Sequence, residues 1–156
     1  MIKKLSAKTM TNAQFRQLVA MECACGLEPY TPEMLLACIR DMDTYAWMDN
    51  HVVAGFITVH PSTRYLGGGV YIVNLNVAGA YRRRGIGKAL IRYAAAEYAV
   101  SHAGQQMTLD VARDNLPALS LYKSLGFAET EIPSDNGETD MVMTVDIEAL
   151  VSGESI

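Results

Sequence analysis

At 156 residues, half of them hydrophobic, the chain is long enough to bury a substantial core and too apolar to be disordered. A formal net charge of −4 makes the chain as a whole a poor electrostatic match for nucleic acid. No run of about 18 apolar residues predicts a membrane span, and no apolar run of signal-peptide length follows Lys3 and Lys4, so no membrane partner is expected. Cys23, Cys25 and Cys38 are odd in number, with no Cys-x-x-Cys and no paired histidines. They read as free thiols of a reducing cytoplasm, and no metal is expected. One domain over residues 1–150 with a short tail, 151–156, is the expectation.

Ile2 to Ala7 reads as a first strand. Thr9 or Thr11 caps a helix with Phe15, Leu18, Val19 and Ala20 on one side, and Gly26 ends it. Leu27 to Tyr30 is a loop. Thr31-Pro32-Glu33 starts a second helix, with Met34, Leu35, Cys38, Ile39 and Met42 as its apolar face. Tyr45 to Met48 and Val52 to His60 read as strands joined by a hairpin turn at Asp49-Asn50-His51. Pro61 to Gly69 is a glycine-rich loop. Val70 to Val77 is a strand, and a helix ending near Gly104 follows it. Met107 to Ala112 is a strand, Leu116 to Leu125 a short helix, and a strand follows Phe127. Ile132 to Asp140 is a polar loop. Met141 to Ile147 is a last strand whose poor alternation predicts burial on both faces.

The chemistry concentrates between the strand Val70–Val77 and the helix after it. They are joined by Arg82-Arg83-Arg84-Gly85-Ile86-Gly87. The first N–H groups of a helix lack intrahelical partners and form its positive end, so a glycine turn there suits a phosphate. A Walker A loop fails, because Arg82 stands where its first glycine belongs and Ala89 where its hydroxyl belongs. A dinucleotide fingerprint fails too, with Leu90 in place of the third glycine.

The pattern Tyr81-Arg82-x-x-Gly85-Ile86-Gly87-x-x-Leu90 resembles the acetyl-CoA loop of the GNAT superfamily of N-acyltransferases. The later block Asn115-Leu116-Pro117-Ala118 through Tyr122 to Gly126-Phe127 is similar to that family's second motif. Gly79, where the family often has proline, is a departure that loosens the turn. The style is nearest to the ribosomal-protein alanine and small-amine acetyltransferases. The resemblance implies an α/β fold: a mixed, mostly antiparallel sheet of six to seven strands, its central strands splayed, flanked by about four helices. It implies acetyl-CoA as co-substrate. Backbone of Leu75 and Val77 and the side chain of Asn115 would hold the pantetheine arm. Arg82, Arg83, Arg84, Gly85, Ile86, Gly87 and Lys88 would hold the pyrophosphate. Tyr122, also expected against the cofactor, would protonate the leaving sulfur.

Asp110 stands twelve residues before Tyr122, where some members carry a glutamate base. Aspartate is one methylene shorter, so direct reach is reduced, and the residue also reads as a structural or positioning carboxylate. His60 and Tyr71 are fallback bases, and solvent can take the amine's proton without any dedicated base. The acceptor implied is a small-molecule amine or a peptide N-terminus. Glu28 in one loop, and Glu131, Asp135, Glu138 and Asp140 in another, suggest a cationic one. The last strand could pair in a homodimer, as is common in the family. A non-catalytic acyl-CoA sensor on the same fold is the alternative.

Overall fold

The computed structural model describes residues 1–24, 29–65 and 68–153. The chain forms two compact units, Met1–His60 with Val73–Leu90, and Pro61–Ile72 with Ile91–Ile156. Among the described residues seven strands stand in the order β1-β2-β3-β4-β5-β7-β6, and β4 (Val70–Val77) belongs to both units. The pairs β1–β2, β2–β3, β5–β7 and β6–β7 are antiparallel, and β4–β5 is parallel. This is the mixed α/β sheet that the sequence predicts.

The first unit holds β1 (Ile2–Leu5), α1 (Asn12–Cys23), α2 (Pro32–Asp41), β2 (Asp43–Asp49) and β3 (Val52–Pro61) up to His60. Thr11 starts α1 through a reciprocal cap. Its hydroxyl accepts the Gln14 N–H at 3.1 Å, and the Gln14 side chain accepts the Thr11 N–H at 3.0 Å. Thr31 caps α2 in one direction only, its hydroxyl accepting the Met34 N–H at 3.2 Å, with Pro32 at the first position, where a missing N–H costs nothing. The β2–β3 turn puts Asn50 at φ 54°, the left-handed conformation a tight hairpin asks for. Leu5, Leu18, Leu35, Ile39 and Phe56 close the core of this unit. The expectation for α2 needs a correction: Met34 is 47% exposed and lies outside the apolar face. The buried row is Leu35, Cys38 and Ile39, spaced three and four apart.

The second unit holds β5 (Gln106–Ala112), α4 (Leu116–Ser124), β6 (Ala128–Glu129), β7 (Asp140–Asp146) and α5 (Ile147–Val151). The helix α3 (Ile86–Tyr98) crosses from the first unit into the second. β5 and β7 pair from Gln106↔Asp146 to Ala112↔Asp140. Met141, Val142 and Met143 are buried in succession, so β7 is covered on both faces, as its poor alternation predicts. The last helix is unexpected. It has five residues, too few for a 3.6-residue period to show. The expected helix end at Gly26 lies outside the described residues.

These burials set contrasting costs. Leu18→Ala should destabilise by about 2–5 kcal/mol, because it empties a closed core, and Met34→Ala by less than about 0.5 kcal/mol. Urea unfolding of the two variants checks the assignment of the α2 face.

Candidate active site

The β4–α3 connection lies in the first unit. The Ala78 N–H donates to the Ala54 carbonyl at 2.8 Å and ties the end of β4 to β3. One 3-10 turn follows over Gly79–Tyr81. Arg83 then takes φ 63° and Gly85 φ 77°, and α3 begins at Ile86. The left-handed geometry at Gly85 is one that glycine adopts freely. No heavy atom lies within 4 Å of where a Cβ would stand there, so the backbone is open. Arg83 adopts the same region at a cost on the order of 1 kcal/mol, a strain typical of binding turns. A Cβ on Gly55 of β3 would meet the Asn76 carbonyl at 3.0 Å and the Ile86 side chain at 3.1 Å. Its absence lets β3 sit tightly against β4 and the first turn of α3.

The basic residues of the turn divide into two kinds. Arg82 Nε donates back to the Val77 carbonyl at 3.3 Å. Arg84 lies over the Tyr81 ring at 5.2 Å, and the Tyr81 hydroxyl donates to Asp49 at 2.7 Å. Arg83 and Lys88 make no hydrogen bond or ion pair among the described residues. They remain available to an anion beside the unpartnered N–H groups at the start of α3. Leu75 and Val77, expected to offer backbone, are half-buried on β4.

Asp110 lies in the second unit, half-buried on β5. Three hydroxyls donate to its carboxylate. Tyr71 reaches Oδ1 at 2.6 Å, Tyr65 reaches Oδ2 at 2.9 Å, and Ser134 also reaches Oδ2. Burial, and then the bond to Asp110, push the Tyr71 phenol far above its ordinary range. Arg64 lies over the Tyr65 and Tyr71 rings at 5.4 and 5.1 Å and pairs with Asp135 at 2.9 Å. The two parallel pairings Val70↔Met107 and Tyr71↔Thr108 set the register that aims Tyr71 at Asp110.

Tyr122 is on α4 of the same unit, its ring 5.6 Å from that of Phe127. Its hydroxyl has no hydrogen-bond partner among the described residues, and burial pushes the phenol up to about 12. Asn115 caps α4, its Oδ1 accepting the Ala118 N–H at 3.3 Å. The Nδ2 group of Asn115 is left for another acceptor.

Sequence reasoning missed Tyr65, Ser134 and Glu22. Glu22 is 5% exposed, and its carboxylate accepts from Asn76 Nδ2 at 2.7 Å and from the Tyr30 N–H at 3.1 Å. Burial, then the charges of Glu22 and Asp41, push the Cys38 thiol up. Asn74 on β4 buries both its amide atoms without a partner. Glu22 had a readable signal, because Gln14, Leu18 and Glu22 are each four apart on one helical stripe. Tyr65 and Ser134 had none, since loops have no period. Among the described residues no group of His, Cys, Asp and Glu is arranged to hold a metal ion, and no helix is long and apolar enough to cross a membrane.

A strand, a glycine turn with open backbone, and a helix whose first N–H groups are unpartnered are arranged as an anion could use them. The profile of the Acetyltransferase (GNAT) family matches residues 13–127, most of the chain, and the protein belongs to that family. It is 36% identical over 62 residues to the N-alpha-acetyltransferase of Sulfurisphaera tokodaii, covering 40% of this chain and 37% of that protein. It is 33% identical over 92 residues to the mycothiol acetyltransferase of Corynebacterium glutamicum, covering 59% of this chain and 30% of that protein. The chain thus spans about a third of the length of these two relatives. Arabidopsis thaliana NAA60, crystallised with acetyl-CoA, has the same fold, with a TM-score of 0.72 and 21% identity over 95% of this chain and 98% of that one.

The open turn gives a direct test. Gly85→Ala meets no clash but must hold a left-handed φ, a strain of about 1–2 kcal/mol. CoA affinity by calorimetry should fall about 5- to 30-fold, since each 1.4 kcal/mol is tenfold. The thermal midpoint should move by only a few degrees.

Proposed function

We propose that this protein moves an acetyl group from acetyl-CoA to a primary amine by direct attack in a ternary complex. The observation that carries this reading is the turn at Gly85, whose exposed backbone leads into the unpartnered N–H groups of α3 beside the unpaired cations Arg83 and Lys88. The pyrophosphate binds there, through the backbone of Arg83 to Lys88, with Arg82 and Arg84 flanking it. The pantetheine arm bonds the backbone of Leu75 and Val77 and the amide of Asn115.

The acceptor ammonium loses a proton to water. The free amine attacks the thioester carbonyl, and the tetrahedral intermediate collapses to the amide and CoA thiolate. An N–H of β4 near Val77 holds the carbonyl oxygen as its charge develops. Tyr122 donates a hydrogen bond to the departing sulfur. The phenol, raised toward 12, is a weaker acid than an ordinary thiol. It therefore stabilises the developing charge, and the thiol gains its proton from that released by the amine.

A cationic amine, a small molecule or a peptide N-terminus, suits the acceptor role. The loop between β6 and β7 forms an open cavity of about 660 Å³ lined by Glu129, Glu131, Glu138 and Asp140. The one basic lining residue among those described, Arg113, is already paired with Glu129 at 2.8 Å.

Free-thiol release from acetyl-CoA against a panel of amines and basic peptides tests the proposal. Tyr122→Phe should lower kcat roughly 10²-fold while CoA affinity stays within about twofold. The wild-type rate should rise with pH as the acceptor amine deprotonates, with no falling limb from Tyr122 below about pH 10, because the raised phenol keeps its proton there. Cationic acceptors should lead the panel. CoA binding without turnover of any amine would favour an acyl-CoA sensor, and an unchanged Tyr122→Phe rate would remove Tyr122 from the chemistry.

A further inference from the structure

We infer that Asp110 is a positioning residue: its carboxylate locks the segment Ser62–Tyr65 to the segment Ser134–Asn136 and so shapes the acceptor loop, instead of taking the amine's proton. The inference rests on the acetyltransferase reading and goes beyond it. It turns on the direction of each hydrogen bond.

Tyr65 uses its oxygen twice. It accepts the Asp135 N–H at 3.0 Å and donates its proton to Asp110 Oδ2 at 2.9 Å. Ser134 does the same, accepting the Asn136 N–H at 3.1 Å and donating to the same oxygen. A backbone N–H has no choice of role, so both hydroxyl protons are committed to Asp110. Oδ2 therefore receives two donors. It cannot take up a proton without expelling one of them, and that hydroxyl would then face a second donor instead of an acceptor. Oδ1 is engaged by Tyr71 at 2.6 Å. Three of the carboxylate's four lone-pair sites are thus taken by hydroxyls, and only the one that Tyr71 leaves on Oδ1 is open, whereas all three contacts serve to hold neighbouring segments.

The same contacts make a good lock. Asp110 sits on β5, which is paired along its whole length to β7. The two segments it holds are irregular backbone that no ladder fixes. Arg64 adds a second tie from the same side, pairing with Asp135 and covering the rings of Tyr65 and Tyr71. The Ser62 hydroxyl accepts the Arg64 N–H at 3.1 Å, so the Arg64 backbone is held as well. The Ser134 segment also lines the acidic cavity of the β6–β7 loop, where the acceptor is proposed to bind. Holding a loop in its bound shape lowers the cost of binding and improves affinity more than it speeds the chemical step.

The test uses Asp110→Asn, Tyr65→Phe and Ser134→Ala in the full chain, with two readouts. The first is kcat and acceptor KM across pH 6–10, with the best amine of the panel. The second is backbone hydrogen exchange of residues 62–65 and 134–136, with β5 and β7 as the control for folding. Asp110→Asn should speed exchange in both segments at least tenfold, leave β5 and β7 protected, and raise acceptor KM at least tenfold with a smaller fall in kcat. Its pH profile should keep the wild-type rise. Tyr65→Phe and Ser134→Ala move no proton in either role, and they should reproduce part of the KM effect. A 100-fold fall in kcat at unchanged KM, with a lost pH limb and silent Tyr65→Phe and Ser134→Ala variants, would make Asp110 the base and overturn the inference. If the wild type turns over no amine, the acetyltransferase reading fails. Exchange then decides alone, and unchanged protection of the two segments in Asp110→Asn overturns the lock.

Discussion

A helix that begins without an acceptor for its first N–H groups leaves partial positive charge exposed, and something must neutralise it. In this protein α3 begins that way, directly after a turn whose backbone is bent into the left-handed region twice. Much of the first unit makes that start possible. Gly55 lets β3 approach β4 and Ile86 closely, and the Ala78 N–H anchors the strand end on Ala54. Arg82 and Arg84 are held by Val77 and Tyr81, so they brace the turn, and Arg83 and Lys88 stay unpaired among the described residues. The strain at Arg83 and the glycine at Gly85 go with the same geometry, a turn that leaves backbone open at the start of α3.

The second unit solves a different problem. A half-buried carboxylate and two irregular segments are each unfavourable alone, the one for its desolvated charge and the others for their unpaired backbone. Bringing Tyr65, Tyr71 and Ser134 onto Asp110 satisfies all of them. The backbone N–H groups of Asp135 and Asn136 orient the hydroxyls, and the hydroxyls in turn satisfy the charge. Tyr122 is the contrast. It is half-buried on α4, and its hydroxyl has no such partner among the described residues. Two oxygen-bearing groups that motif spacing would pair as base and acid thus have opposite surroundings.

The elements were legible wherever a period or a cap marked them. Thr11 and Thr31 announced α1 and α2, and the continuous apolar run Met141–Met143 announced a doubly covered strand. Met34 was misread because a helical stripe wider than the contact it meets exposes its margin, and the sequence does not show where the contact ends. The helix α5 was missed because five residues cannot display a period. The partners of Asp110 were invisible for a related reason. Tyr65 and Ser134 lie in loops 45 and 24 residues away from it along the chain, and no local pattern links such positions.

The sequence by itself determined the strand–turn–helix unit, the glycines of its turn, and the Asn115–Phe127 block that starts α4. These are local matters, settled by residues a few positions apart, and local chemistry is written in order along a chain. Only the tertiary structure decided which cations were spent on the protein and which remained. It alone decided that Glu22 is buried against Asn76, that Asp110 is encircled by hydroxyls, and that Tyr122 is left unpaired. Hydrogen-bond direction and burial depend on what arrives from distant segments, and that is fixed only when strands and loops remote in sequence pack together.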